Sequence, residues 1–170
     1  MKRLPRLRTA MLLVALCLAL PPAQACGFEG LMSDLTAQHP HSIDVALALR
    51  ASVERGELQP LEALPPPFGF LRANRTLRGF SPWVAGVSGQ SSASVAVLLI
   101  ESGMWTRYTF NDDGQAMAWP HVSGPLAGEE VLVTGEAVLG AMVAGTLAPT
   151  LAVERGLLLL SAPVSAAAGE

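Results

Sequence analysis

Residues 130 to 161 read EVLVTGEAVLGAMVAGTLAPTLAVERGLLLLS, and the order of apolar, small and chain-turning residues in this stretch decides the fold. Glu130 to Thr134 (EVLVT) is short and rich in β-branched residues, the pattern of a strand. Glu136 to Ala144 follows with Val138, Leu139, Met142 and Val143 on one helical stripe. Thr134 stands where an N-cap belongs, and Glu136 lies near the positive end of the helix. Gly145 stops that helix, Pro149 suits the first turn of a second one through Arg155, and Gly156 closes it. Leu157 to Leu160 then runs back as a buried strand. A strand, two short helices and a strand in such close succession stack both helices over one sheet.

Working upstream, Val95 to Ile100 is a continuous apolar run, the mark of a strand buried on both faces. Ser102-Gly103 turns the chain into Trp105 to Phe110 (WTRYTF), which is full of strand formers. Asn111-Asp112-Asp113-Gly114 is a turn, and Gln115 to Trp119 returns as a third strand with Met117 and Trp119 on one face. A Gly- and Pro-containing loop leads back to Glu130. Farther upstream the character is helical. Ser42 caps a helix with Ile43, Ala46, Leu47 and Ala48 as apolar positions, ending at Arg55-Gly56. Leu58 to Leu64 reads as a short helical turn, and Pro65-Pro66-Pro67 breaks the chain. Phe68 to Phe80 reads as a second helix with Phe70, Leu71 and Leu77 apolar, which Ser81-Pro82 ends, and Val87 to Ser94 is a loop. The expected architecture is α+β: a helical prelude, then a mostly antiparallel sheet covered by two short helices.

Residues 130 to 161 resemble the C-terminal signature of the sterol-carrier-type lipid-transfer domain. That family ends with a strand, a short amphipathic helix closed by Gly, a G-x-L/M-x-P step, a second helical turn and G-x-L-x-L entering the last strand. Gly145-Thr146-Leu147-Ala148-Pro149 and Gly156-Leu157-Leu158-Leu159-Leu160 fall on those steps, and the eleven residues from Gly145 to Gly156 equal the family's spacing. The strand-turn-strand of Val95 to Phe110 and the NDDG turn resemble its β-meander. The match is best over 95 to 161 and poor over 42 to 87. Val153 and Glu154 occupy the place where the family carries an aromatic, and the pattern after Ser161 offers no counterpart of the family's terminal helix, which lines one wall of a lipid tunnel. The resemblance implies a non-enzymatic protein holding a hydrophobic or lipid-like ligand. Its apolar site would be drawn from Trp105, Met117, Trp119, Val138, Leu139, Met142, Val143, Leu147 and Leu151, the methionines suiting variable ligands. The alternative is an envelope accessory or interaction protein with the same fold and no tunnel.

The opening residues predict export. Lys2, Arg3, Arg6 and Arg8 make a positive start without acids, Met11 to Leu20 is apolar, Pro21-Pro22 stops the helix, and Ala23-Gln24-Ala25 is a small-x-small cleavage site. Ten apolar residues fall short of the roughly 20 that span a bilayer. Residues 1 to 25 thus read as a signal peptide, 26 to 41 as a lead-in loop, 42 to 165 as one domain and 166 to 170 as a frayed tail. The destination is the periplasm or the medium. Cys26 would be the first mature residue, which makes lipid anchoring through Cys26 the alternative to release, although Ala23 stands where a lipobox wants Leu. With four of the eleven basic residues in the signal, seven Arg and no Lys remain against fourteen acids, a net charge of −7. Such a chain repels nucleic acid. With Cys17 lost in the signal, stability has to come from the core, and a 51% hydrophobic composition suffices for one.

No motif for a nucleophile, a phosphate loop, a dinucleotide or a catalytic metal occurs, so no catalytic residue, cofactor or enzymatic activity is expected. His39 and His41 with Cys26 form the one metal-handling alternative, set against a plain polar loop, because a site needs three or four ligands. Arg72, Arg75 and Arg78 recur at three-residue spacing and read either as a solvated helix face or as a patch for an acidic protein partner.

Overall fold

Strand β1 (Ser94–Leu99) is the axis of the molecule: from Val95 to Leu99 every residue is fully buried, odd-numbered side chains to one face and even-numbered ones to the other. A computed structural model describes residues 38–65, 67–88 and 93–161, so the expected signal at 1–25, most of the expected lead-in and the expected tail lie outside the described residues. β2 (Met104–Phe110) pairs antiparallel with β1, and β3 (Ala116–Pro120) antiparallel with β2. The chain then crosses back through residues 121–129, so that β4 (Glu130–Thr134) lies parallel to β1, with Val97 opposite Leu132. β5 (Leu158–Ser161) pairs antiparallel with β4, giving the order β3-β2-β1-β4-β5. The sheet is open and mostly antiparallel, as expected. The one parallel pair is a finding that strand patterns alone do not disclose, since β1 and β4 carry no label of direction.

Helices cover both faces. Val95, Val97 and Leu99 share a core with Tyr108, Leu132 and Leu158, closed by α2 (Phe68–Val87), α3 (Glu136–Val143) and α4 (Pro149–Glu154). Ala96, Leu98 and Ile100 form a second core with Trp105, Val131 and Val133, closed by Val45 and Ala46 of α1 (Ser42–Glu54).

Several boundaries differ from the sequence expectation, each for a packing reason. Ser42 is the first residue of α1 and buried; His41 holds the cap position without a side-chain bond, so Ser42 does not cap. The buried residues of α1 are Ser42, Val45, Ala46 and Ser52, while Leu47 is exposed, because the sheet is met by the 42/45/46 phase rather than by the strongest hydrophobes. Leu58 to Leu64 is irregular, not a helical turn. α2 does not end at Ser81-Pro82 but continues to Val87 with Pro82 inside it. Its core stripe, Ala73, Leu77, Phe80 and Val84, runs past the proline, and that burial outweighs the lost backbone bond. Thr134 belongs to β4 and donates its hydroxyl to the Leu157 carbonyl at 2.9 Å; Gly135 takes the cap position of α3.

The two glycine closures stand as expected. Gly145 has φ 73° and its N–H donates to the Met142 carbonyl, while Thr146 N–H reaches the Ala141 carbonyl. Gly156 has φ 67°, with Gly156 N–H on Val153 and Leu157 N–H on Ala152 in the same pattern. Gly145→Ala would meet no steric neighbour. Its loss of stability is therefore conformational alone, about 1 kcal/mol, readable as a shift in denaturation midpoint at unchanged slope.

Candidate functional site

Between α1 and α2 the chain forms a strap rather than a regular element. Leu58, 5% exposed, anchors it in the core, and residues 59–65 then run without helix or strand toward α2. Arg72, on the flank of α2, ties the strap down. Its Nη1 donates to the Glu62 carbonyl at 2.6 Å, and its Nε donates to Glu136 Oε1 at 2.6 Å. Glu136 is the first residue of α3, and its side chain is only 6% exposed. Its own N–H donates to Glu101 Oε2 at 2.9 Å, so the carboxylate of Glu101, on the β1–β2 turn, satisfies the start of α3. Burial pushes the Glu101 carboxyl above its ordinary range, against the pull of backbone donors at Glu136 and Ala137.

Two grooves flank the strap and share Leu61, Glu62, Arg72 and Glu136. The first encloses about 650 Å³. Leu61, Leu64, Phe70 and Met104 give it apolar walls, and Glu101, Arg72 and Glu136 its polar end. His121 stands at its side with the ring stacked on Phe70, centroids 4.4 Å apart, and it is the one described non-glycine residue at positive φ, 64°. The second groove, about 560 Å³, runs along the small-residue face of α3 formed by Ala137, Gly140 and Ala141, with Ala144 at the helix's C-cap. Arg72 is paired with Glu136, and Glu62 and Glu101 are the other two carboxyl side chains lining the first groove, that of Glu101 turned to the start of α3.

The site residues expected from sequence do not converge on these grooves. Val138, Leu139, Met142, Leu147 and Leu151 do come together, in the core beneath α3 and α4. Val138, Leu139 and Met142 are 0% exposed, so not even a water-sized sphere reaches them from outside or from an internal void. Val143, expected in the buried stripe, is 41% exposed. Trp105 faces the opposite core with α1. Met117 and Trp119 do share one face of β3, but that face is open, and each is about half exposed, at 51% and 52%. Trp119 Nε1 donates to Thr109 Oγ1 at 3.0 Å.

Cys26 lies outside the described residues. His39 and His41 are neighbours with ring centroids 5.6 Å apart, and the Nδ1 of His41 is 3.2 Å from Asp44 Oδ2. Among the described residues no group of three His, Cys, Asp or Glu side chains is placed to hold a metal ion. Of the arginine series, Arg72 is taken up internally by Glu136, whereas Arg75 and Arg78 are exposed. No helix among the described residues is long and apolar enough to cross a membrane. Neither a scan against protein families nor a search of curated proteins finds a match to this chain.

The groove escaped the sequence reading because its walls come from the strap, α2, the β1–β2 turn and the β3–β4 crossover. The signal that existed was Arg72 with Glu136, a charge pair 64 positions apart that no local pattern joins.

Proposed function

We propose that this chain is an exported, non-enzymatic protein that binds a hydrophobic or lipid-like ligand, and that the ligand lies in the groove beside the strap rather than under α3. The 650 Å³ groove carries this reading, since its volume falls in the range of small-molecule sites and Leu61, Leu64, Phe70 and Met104 give it apolar walls beside a polar end. The succession of strand, glycine-closed helix, proline-started helix and strand supports it too, being the order on which the likeness to sterol-carrier-type domains rests. With Arg72 already paired to Glu136 and the exposed Glu62 on its rim, the groove favours an amphiphile with a neutral or cationic head over a carboxylate.

Two substitutions separate groove from core. Ala63 lines the groove and is exposed, so Ala63→Trp fills it at little cost to stability. Uptake of a fluorescent dodecyl alcohol is expected to weaken roughly tenfold or more in Ala63→Trp, a change of about 1.4 kcal/mol. Met142→Trp overpacks a closed core and is expected to destabilise by about 1 to 3 kcal/mol. Equal uptake by Ala63→Trp and the native chain would remove the ligand from the groove. A native chain that takes up neither the alcohol nor the matching amine or carboxylate would defeat the ligand reading.

The second reading, an envelope accessory protein with no tunnel, is favoured by the solid packing of Val138, Leu139 and Met142. It predicts no uptake by either protein.

A further inference from the structure

The described residues carry seven arginines and eleven acidic side chains. Five of those arginines hold carboxylates: Arg50 with Glu54, Arg55 and Arg155 with Glu57, Arg72 with Glu136, and Arg107 with Glu129. Arg75 and Arg78 form no ion pair or side-chain hydrogen bond among the described residues, and both stand on the outer face of α2. Phe68, Leu71, Arg75 and Arg78 recur at i, i+3, i+7 and i+10, a single stripe on the side of the helix opposite Ala73, Leu77, Phe80 and Val84. Phe68 is 60% and Leu71 55% exposed, unusual for large apolar side chains on a helix whose other face already supplies a core.

We infer that the outer face of α2 is a docking surface for an acidic, apolar-bearing helical segment of another protein. Charge complementarity selects the occupant. Everywhere else the arginines are already matched and acids are in excess, so an acidic partner is attracted at this stripe and repelled over the rest of the described surface. The stripe from Phe68 to Arg78 is about 15 Å long at 1.5 Å per helical residue, the reach of three turns of a partner helix. Its two halves complement such a helix in order: Phe68 and Leu71 receive apolar residues, and Arg75 and Arg78 receive carboxylates one to two turns on. An anionic membrane would instead present a plane, bringing the surplus acids of the protein toward the same negative charge.

The surface is independent of the ligand groove and is tested separately. The probe is a labelled helical peptide with Leu on one face and Glu beside it, followed by fluorescence anisotropy. The comparison probes are the same peptide with Lys for Glu, and vesicles containing phosphatidylglycerol. The native chain is expected to bind the acidic peptide. Arg75→Glu with Arg78→Glu, and separately Phe68→Ser with Leu71→Ser, should each weaken binding roughly tenfold or more. All these residues are exposed, so unchanged thermal melts should accompany the loss. Equal binding of the Lys peptide, unchanged affinity in the charge-reversed protein, or native binding to the vesicles in place of the peptide would each overturn the inference.

Discussion

Glu129→Ala is expected to destabilise the protein by about 3 to 5 kcal/mol, the loss seen when one member of a buried charge pair is removed. Glu129 is 4% exposed and gathers four donors. Arg107 reaches it through Nε at 2.6 Å and Nη2 at 3.2 Å, Ser94 Oγ at 2.6 Å, and the Leu126 N–H at 2.6 Å. Arg107 also donates to the Gly124 carbonyl at 3.0 Å. One carboxylate thus joins the start of β1, the middle of β2 and the crossover that makes β4 parallel to β1. Without it a guanidinium only 19% exposed keeps its charge and loses its partner. Exchanging both residues for leucine should cost less than Glu129→Ala, since no charge is then stranded. Urea denaturation decides the matter. A loss below about 1 kcal/mol would mean that the crossover is held by other contacts.

The same residue shapes the acid side of the stability curve. Burial alone would raise the Glu129 carboxyl, but hydrogen bonds from Arg107, Leu126 and Ser94 outweigh it and hold the group below its ordinary value of 4.5. A depressed folded pKa contributes stability that is present above the unfolded value and lost as pH falls through the folded one. Glu57, hydrogen-bonded by Arg55 and lowered to about 2, acts in the same direction. Glu101, raised by burial, acts oppositely, since it takes up its proton more readily folded than unfolded. Stability should therefore decline from about pH 4.5 downward, and Glu129→Ala should flatten that decline.

Phe80→Ala is expected to cost about 3 to 5 kcal/mol, the range for emptying a buried aromatic site. Phe80 is 0% exposed and meets the ring of Tyr108 edge-on, centroids 6.3 Å apart at 83°. Tyr108 in turn donates its hydroxyl to the Leu77 carbonyl at 2.7 Å, so helix and sheet are joined by packing and by a hydrogen bond at one place. The cavity left by Phe80→Ala would open beneath the segment of α2 that contains Pro82. Phe80→Leu keeps most of the volume and should cost distinctly less. Equal losses for Ala and Leu would show that ring geometry, rather than volume, sets the contribution.

The sheet was legible because burial writes itself into β1 and turn chemistry into Gly103 and Gly114. The C-terminal helices were legible because Gly145, Pro149 and Gly156 leave the backbone few choices. The N-terminal half was less so. Pro82 and Ser81 looked like a stop, yet Val84 continues a stripe that burial makes decisive, and no local rule weighs a proline against a sheet not yet in place. Ser42 and Thr134 carry capping side chains, but each is claimed by tertiary packing, Thr134 by the Leu157 carbonyl. The apolar stripe on α3 is legible at Val138, Leu139 and Met142, but a sequence shows which residues avoid water and not whether protein or ligand covers them. The groove's polar end, Glu101 with Arg72 and Glu136, exists only once three elements meet.

A hydrophobic ligand beside the strap would be located by titrating dodecanol into isotope-labelled protein and following backbone amide shifts residue by residue. Saturable shifts are expected at Leu61 to Leu64, Phe70, Arg72, Gly103 and His121, with Val138, Leu139 and Met142 undisturbed. Shifts centred on Val138, Leu139 and Met142 instead, or none at any residue up to the solubility limit of the alcohol, would contradict that placement.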